Sequence, residues 1–214
     1  MSKEFFIRIL SASILTPFAL FFIIKGSIFF NFFILVICFI AFYEWHNLSL
    51  NKIYYLPGFI FIFVSFYAFY FLRNEENLTF FWLILLTCIS TDVGGYTFGK
   101  LLKGPKLSKI SPKKTYAGVL GGFVLSIFFA KIYFSNLTFF TIAETDEEFG
   151  VQKIFIVLSL SFVSQIGDLI ISLCKRKSKV KDTGRVIPGH GGILDRIDGM
   201  IFTFPYAILL INII

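Results

Sequence analysis

Seven apolar runs of 15 to 24 residues occupy most of this 214-residue sequence, at 5–24, 28–43, 56–72, 78–98, 118–140, 151–174 and 200–214. Crossing the hydrocarbon core of a bilayer takes about 20 apolar residues of helix. No water is available there for an open peptide group, so each spanning segment must close its own hydrogen bonds. The expectation is an all-α, polytopic integral membrane protein with about seven transmembrane helices. Only 15% of the residues are charged, against roughly 25% in soluble domains. No stretch remains for a separate soluble domain, so 1–214 reads as one transmembrane domain, with apolar spans in 1–80 and the chemistry-bearing spans and loops in 83–214. The first run carries Arg8, but no small-residue cleavage site follows it, so it reads as a retained span rather than a signal peptide. The last run is short, which puts the expected start of its helix inside 195–199.

Orientation follows from the basic residues, because positive loops stay in the cytoplasm. Of the 20 Lys and Arg, 16 fall at the amino terminus or in the loops after runs two, four and six. That places the amino terminus and these loops in the cytoplasm and the carboxyl terminus outside. The longest outer loop is acidic, with Glu144, Asp146, Glu147 and Glu148. The net charge of +7 does not argue for nucleic acid, since no folded basic domain could present it; anionic headgroups and a phosphorylated substrate at the membrane surface suit it better. Cys38, Cys88 and Cys174 lack the spacing of a zinc site or a disulfide framework. Among the 31 phenylalanines, the stripe Phe61, Phe63, Phe66 and Phe69 could line an acyl chain, but it reads as biased composition filling lipid-exposed positions.

Two loops are more than positively charged. The segment 172–198 follows a span carrying Gln165 and Asp168, and an ionisable group inside a span marks a functional site by default. Ser161, Gln165, Asp168 and Ser172 recur at intervals of four, three and four, so they share one helix face. Asp195 and Asp198 are three apart and share a face if the last helix has begun there. Neighbouring carboxylates repel unless a cation sits between them, so Asp168, Asp195 and Asp198 read as a hard-oxygen site suited to magnesium on a nucleotide phosphate. Between them, His190 is flanked by Gly189, Gly191 and Gly192, whose backbone can approach a ligand and offer amides to phosphate. The other loop follows Asp92, with Gly94 and Gly95 allowing a close helix neighbour. It ends in Ser111-Pro112-Lys113-Lys114-Thr115, where the lysines can hold phosphate as point charges.

The stretch 172–198 resembles the signature of the phosphatidate cytidylyltransferases, also called CDP-diacylglycerol synthases. Ser172, Lys175, Arg176, Lys181, Asp182, Gly184, Ile187, Pro188, His190, Gly191, Gly192, Asp195, Arg196 and Asp198 match it position by position, and only Cys174 departs from it. The likeness extends to Gln165 with Asp168, to Asp92 with its Gly-Gly-Tyr, and to the 111–115 block, covering about 83–214. It implies a reaction of CTP with phosphatidic acid to give CDP-diacylglycerol and pyrophosphate. On that reading Asp168, Asp195 and Asp198 bind Mg2+, with room for a second cation. Lys175, Arg176, Lys181 and Arg196 meet phosphates, which with the three acids makes the catalytic set. Asp92, Ser111, Lys113, Lys114, Thr115, His190, Gly191 and Gly192 bind substrate. The implied partners are CTP, phosphatidic acid and membrane lipids, with a homodimer left open. Two rivals are a CTP-dependent lipid kinase, not expected to carry the full 27-residue pattern, and a transporter, for which the sequence lacks an internal repeat.

Overall fold

The computed structural model describes residues 3–74, 78–108, 111, 114–140 and 150–211. Lys109, Pro112 and Lys113 of the first basic loop, and the acidic residues Glu144, Asp146, Glu147 and Glu148, lie outside the described residues. The helices, in chain order, are α1 (Lys3–Lys25), α2 (Ser27–Ser49), α3 (Tyr55–Asn74), α4 (Leu78–Leu102), α5 (Tyr116–Phe140), α6 (Val151–Lys177) and α7 (Leu194–Ile211). Among the described residues the only bridges of β type are isolated pairs, Lys106 with Thr115 and Ile187 with Gly191.

Each helix overlies one apolar run, as expected where the backbone must satisfy itself. By length and composition five of them, α2 to α6, suit a bilayer crossing, and the chain is an all-helical integral membrane protein. The expectation of about seven crossings is therefore met for five. α7 is an 18-residue helix whose first turns hold Asp195, Arg196 and Asp198. It starts at Leu194, six residues before the apolar run, because groups elsewhere in the fold accept its first amides.

In lipid the surrounding tails are as apolar as Leu, so helices associate through close packing and hydrogen bonds rather than through escape from water. Two features supply the packing. Phe30 of α2, Phe69 of α3, Phe81 of α4 and Phe204 of α7 meet in one aromatic cluster, with Phe69 and Phe204 centroids 3.9 Å apart and Phe69 edge-on to Phe81 at 5.2 Å. Between α4 and α5 glycines let the backbones touch: a Cβ on Gly94 would come 2.7 Å from the Gly121 carbonyl carbon, and one on Gly118 would come 2.7 Å from the Gly95 oxygen. The outer faces stay apolar and exposed, as at Phe32, Phe39, Phe63 and Phe155.

Candidate active site at the loop end of the bundle

The polar face expected on α6 is present, and it packs against protein. Thr91 of α4 donates to the Ser161 hydroxyl at 2.7 Å, and the Gln165 amide reaches the Val119 carbonyl of α5 at 3.5 Å. Ser172 donates to Asp168 Oδ1 at 3.2 Å. Lys114, just before α5, places its Nζ 2.5 Å from Asp168 Oδ2 and 3.4 Å from the Gln165 carbonyl oxygen. Gly122 allows this convergence, since a Cβ there would press on both the Thr91 carbonyl and the Gln165 amide.

Asp198 of α7 joins Asp168 across the α6–α7 contact. Gly167 makes room for it, because a Cβ at that position would come 2.9 Å from the Asp198 carbonyl oxygen. The Asp168 and Asp198 carboxyl groups are close enough to act on each other, and the charge of Asp92 acts on both. Two carboxylates that close repel unless a cation or proton lies between them. Among the described residues no three His, Cys, Asp or Glu side chains form a ready metal cage. Mg2+ does not require one: it is usually held by one or two carboxylates together with substrate phosphates and water. The pair Asp168 and Asp198 fits that donor set, with Lys114 as an adjoining phosphate-type cation.

Asp195 is not part of this group. Its carboxylate turns the other way and is almost fully enclosed: Lys175 Nζ lies 2.7 Å from Oδ1, while Oδ2 accepts from the Thr183 N–H at 2.8 Å, the Thr183 hydroxyl at 3.1 Å and the Gly192 N–H at 3.0 Å. In this first turn of α7, ahead of the apolar segment, burial opposes the charge. The hydrogen bonds from Lys175, Gly192 and Thr183 compensate the buried carboxylate. The sequence reading paired Asp195 with Asp198 because i and i+3 share a helix face. Tertiary partners separate them, and the third acid near Asp168 and Asp198 is Asp92.

The loop between α6 and α7 is folded on itself. Pro188 and Gly189, the latter with φ +75°, occupy the corners of a turn closed by His190 N–H on the Ile187 carbonyl at 3.0 Å, the residue pattern of a type II turn. Gly191, with φ +87°, donates its N–H to Ile187, and the Gly192 N–H goes to Asp195. The amides of Gly191 and Gly192, expected to meet phosphate, therefore close the loop instead. Thr115 caps α5, accepting the Gly118 N–H at 3.1 Å, and the Ser111 carbonyl accepts the Lys114 N–H. His190 Nδ1 lies 2.7 Å from the Ser11 hydroxyl of α1, and Arg196 donates to the His190 carbonyl at 2.9 Å. Arg176, Lys181 and Arg196 are exposed beside the loop.

The sequence reading missed Glu44. The second apolar run ends at Tyr43, whereas α2 continues to Ser49 and Glu44 is 1% exposed. Its carboxylate accepts the N–H groups of Ile193 at 2.8 Å and Leu194 at 2.9 Å, and the Thr183 hydroxyl at 2.8 Å. It thus caps α7 from another helix, at the end where the helix dipole favours an anion. Gly184 and Gly192 lie against it and leave no room for a Cβ. The apolar Trp45 and Leu48 after Glu44 were the available signal that the helix runs on and carries the acid inside.

Comparison with known proteins places this architecture. The model of the Cytidylyltransferase family matches residues 51–214. A phosphatidate cytidylyltransferase of Rickettsia felis is 36% identical over 208 residues, covering 95% of this chain and 90% of the relative. One of Rickettsia typhi is 37% identical over 166 residues, 76% of this chain and 72% of the relative. One of Bacillus subtilis is 38% identical over 155 residues, 71% of this chain and 55% of the relative.

Proposed function

The chain belongs to the Cytidylyltransferase family, and on that premise we propose that its loop-end site joins CTP to phosphatidic acid, giving CDP-diacylglycerol and pyrophosphate. The observation that carries this reading is the convergence of Lys114, Asp168 and Asp198 at the helix ends that also hold the folded 178–193 loop. A phosphate oxygen of phosphatidic acid attacks the α-phosphorus of CTP. The bond from that phosphorus to the oxygen bridging the β-phosphate breaks, and its electrons leave with pyrophosphate. The attacking oxygen is already anionic, so no strong general base is needed, and the main barrier is repulsion between two polyanions.

Asp168 and Asp198 would hold Mg2+, which supplies charge neutralisation on the phosphates when bound. Lys114 holds Asp168 in place and presents a cation to the same space. Arg196, Arg176 and Lys181 lie on the exposed side, where they attract the triphosphate and the headgroup. Lys175 acts at one remove: its ammonium is committed to Asp195, and the pair sets the loop in which His190 and Arg196 sit. α1 and α7 cross the bilayer together with α2 to α6, with the loop end in the cytoplasm, as the distribution of basic residues indicates.

The test is to incubate the purified protein in detergent with phosphatidic acid, magnesium and CTP labelled in the cytidine. The label should enter the lipid phase, while label on the γ-phosphate should stay in the aqueous phase. The opposite pattern would make the protein a lipid kinase. The orientation is tested with single cysteines at Lys181 and Thr145 in intact cells: an impermeant reagent should spare the first and modify the second.

A further inference from the structure

A cavity of about 500 Å3 lies on the other side of α7 from the acidic group, lined by α1, α2, α3, α4 and α7. Its wall is nearly all hydrocarbon, with Phe18, Ile34, Phe66, Phe69, Ile89 and Met200 among the lining residues. The Ser65 hydroxyl in the wall is already engaged with the Ile201 carbonyl at 2.7 Å. Water needs two to four polar partners to occupy such a space, and this wall offers few. His190 and Arg196 are the ionisable residues lining it among those described, and both belong to the loop end.

α7 is a wall between two compartments. Ile193, Arg196, Ile197, Met200 and Ile201 face the cavity, whereas Asp198 turns toward Asp168. Arg196 connects the two, since it lines the cavity and its charge also reaches Asp92. α1 forms the outer side of the cavity. Among the described residues its backbone comes close only to that of α2, and side chains tie it elsewhere, Ser11 to His190 and Arg73 of α3 donating to the Ile23 carbonyl at 2.8 Å. Its turns from Leu15 to Ile23 border the cavity, which is open over part of its surface.

We propose that this cavity holds one acyl chain of phosphatidic acid, with the headgroup phosphate at Arg196 and its reacting oxygen turned over the end of α7 toward Asp168 and Asp198. The assignment rests on the cytidylyltransferase reading and adds where the lipid lies. An apolar slot with a guanidinium at its mouth matches a chain with an anionic phosphate at its end. It also divides the phenylalanine stripe of α3: Phe66 and Phe69 line the slot, Phe61 packs on Phe202 with centroids 4.7 Å apart, and Phe63 faces outward.

Two measurements test the slot. In the first, wild-type protein in nanodiscs is irradiated with phosphatidic acid carrying a diazirine at the end of one chain, and adducts are mapped by mass spectrometry. Adducts on Phe66, Phe69 or Ile34 are expected, and an equal yield from diazirine-labelled phosphatidylcholine, or adducts confined to outward residues such as Phe63, overturns the proposal. In the second, Ala19→Trp narrows the slot from α1. The ratio of kcat/KM for dioleoyl over dihexanoyl phosphatidic acid should fall roughly tenfold, the effect of about two methylenes denied burial, and an unchanged ratio in a variant that turns over either lipid overturns it. If no phosphatidic acid accepts a cytidylyl group, the proposed function fails instead; adducts in the slot from a protein without turnover would mark a lipid site unconnected with catalysis and would equally overturn the assignment.

Discussion

Glu44 accepts a hydrogen bond from the Leu194 N–H at 2.9 Å, although the two residues are 150 positions apart. With the Ile193 N–H on its other oxygen, Glu44 replaces the cap that the glycines before α7 cannot provide. An unpartnered buried N–H costs about 1–3 kcal/mol. Glu44→Ala should therefore lower stability in detergent by about 3 kcal/mol and reduce turnover through misplacement of Arg196 and Asp198. Glu44→Gln, which keeps one acceptor, should retain more of both. Unchanged melting of the alanine variant would remove Glu44 from this role.

Lys175 and Asp195 should behave as a structural pair. Their side chains are 12% and 5% exposed, and removing one partner of an enclosed pair costs about 3–5 kcal/mol because the other charge is stranded. Lys175→Met and Asp195→Asn are each expected to destabilise the protein. The double variant should lose less than the sum, with a coupling of about 1–3 kcal/mol in a double-mutant cycle. Strict additivity in denaturation would contradict the pairing.

Asp168 and Asp198 should show the reverse. Because their carboxyl groups repel, Asp198→Asn should leave melting unchanged or raise it, whereas Asp168→Asn also gives up the ion pair with Lys114 and should melt slightly lower; in both, turnover should fall about 100-fold or more and the magnesium requirement rise. Groups that act as a unit are non-additive, so the double variant should be scarcely slower than the slower single. Near-normal turnover at the original magnesium concentration would refute the metal assignment.

The α4–α5 seam makes a prediction about folding. A Cβ on Gly94 would lie 2.7 Å from the Gly121 carbonyl carbon and 2.9 Å from the Gly122 Cα, both backbone atoms that cannot swing aside. Gly94→Ala should cost about 1–3 kcal/mol through overpacking and shift Asp92 relative to Lys114 and Asp168, whose charges act on it. Gly95→Ala, whose nearest non-local atom would be 3.8 Å away, serves as the control and should melt like wild type.

Much of the site could be read from the chain. Ser161, Gln165, Asp168 and Ser172 were assigned to one face from their intervals alone, and that face carries the bonds to Thr91, Val119 and Lys114. The same local reasoning failed at Asp195 and Asp198, because helical spacing gives the direction of a side chain relative to its own axis and not what waits on either side. It failed at Gly191 and Gly192 for a similar reason, since free amides in a sequence become loop closures once Ile187 and Asp195 are in range.

The sequence alone determined the helices, the residue types at the loop end and the family, because membrane-crossing length, apolar periodicity and a 27-residue spacing are properties of the chain read in order. Only the tertiary structure decided which acids meet. Glu44 reaches Leu194, Lys175 takes Asp195, and Asp198 is left with Asp168. The reason is physical: in a medium without water each polar group must find a partner inside the protein, and which partners are in reach depends on how the helices pack.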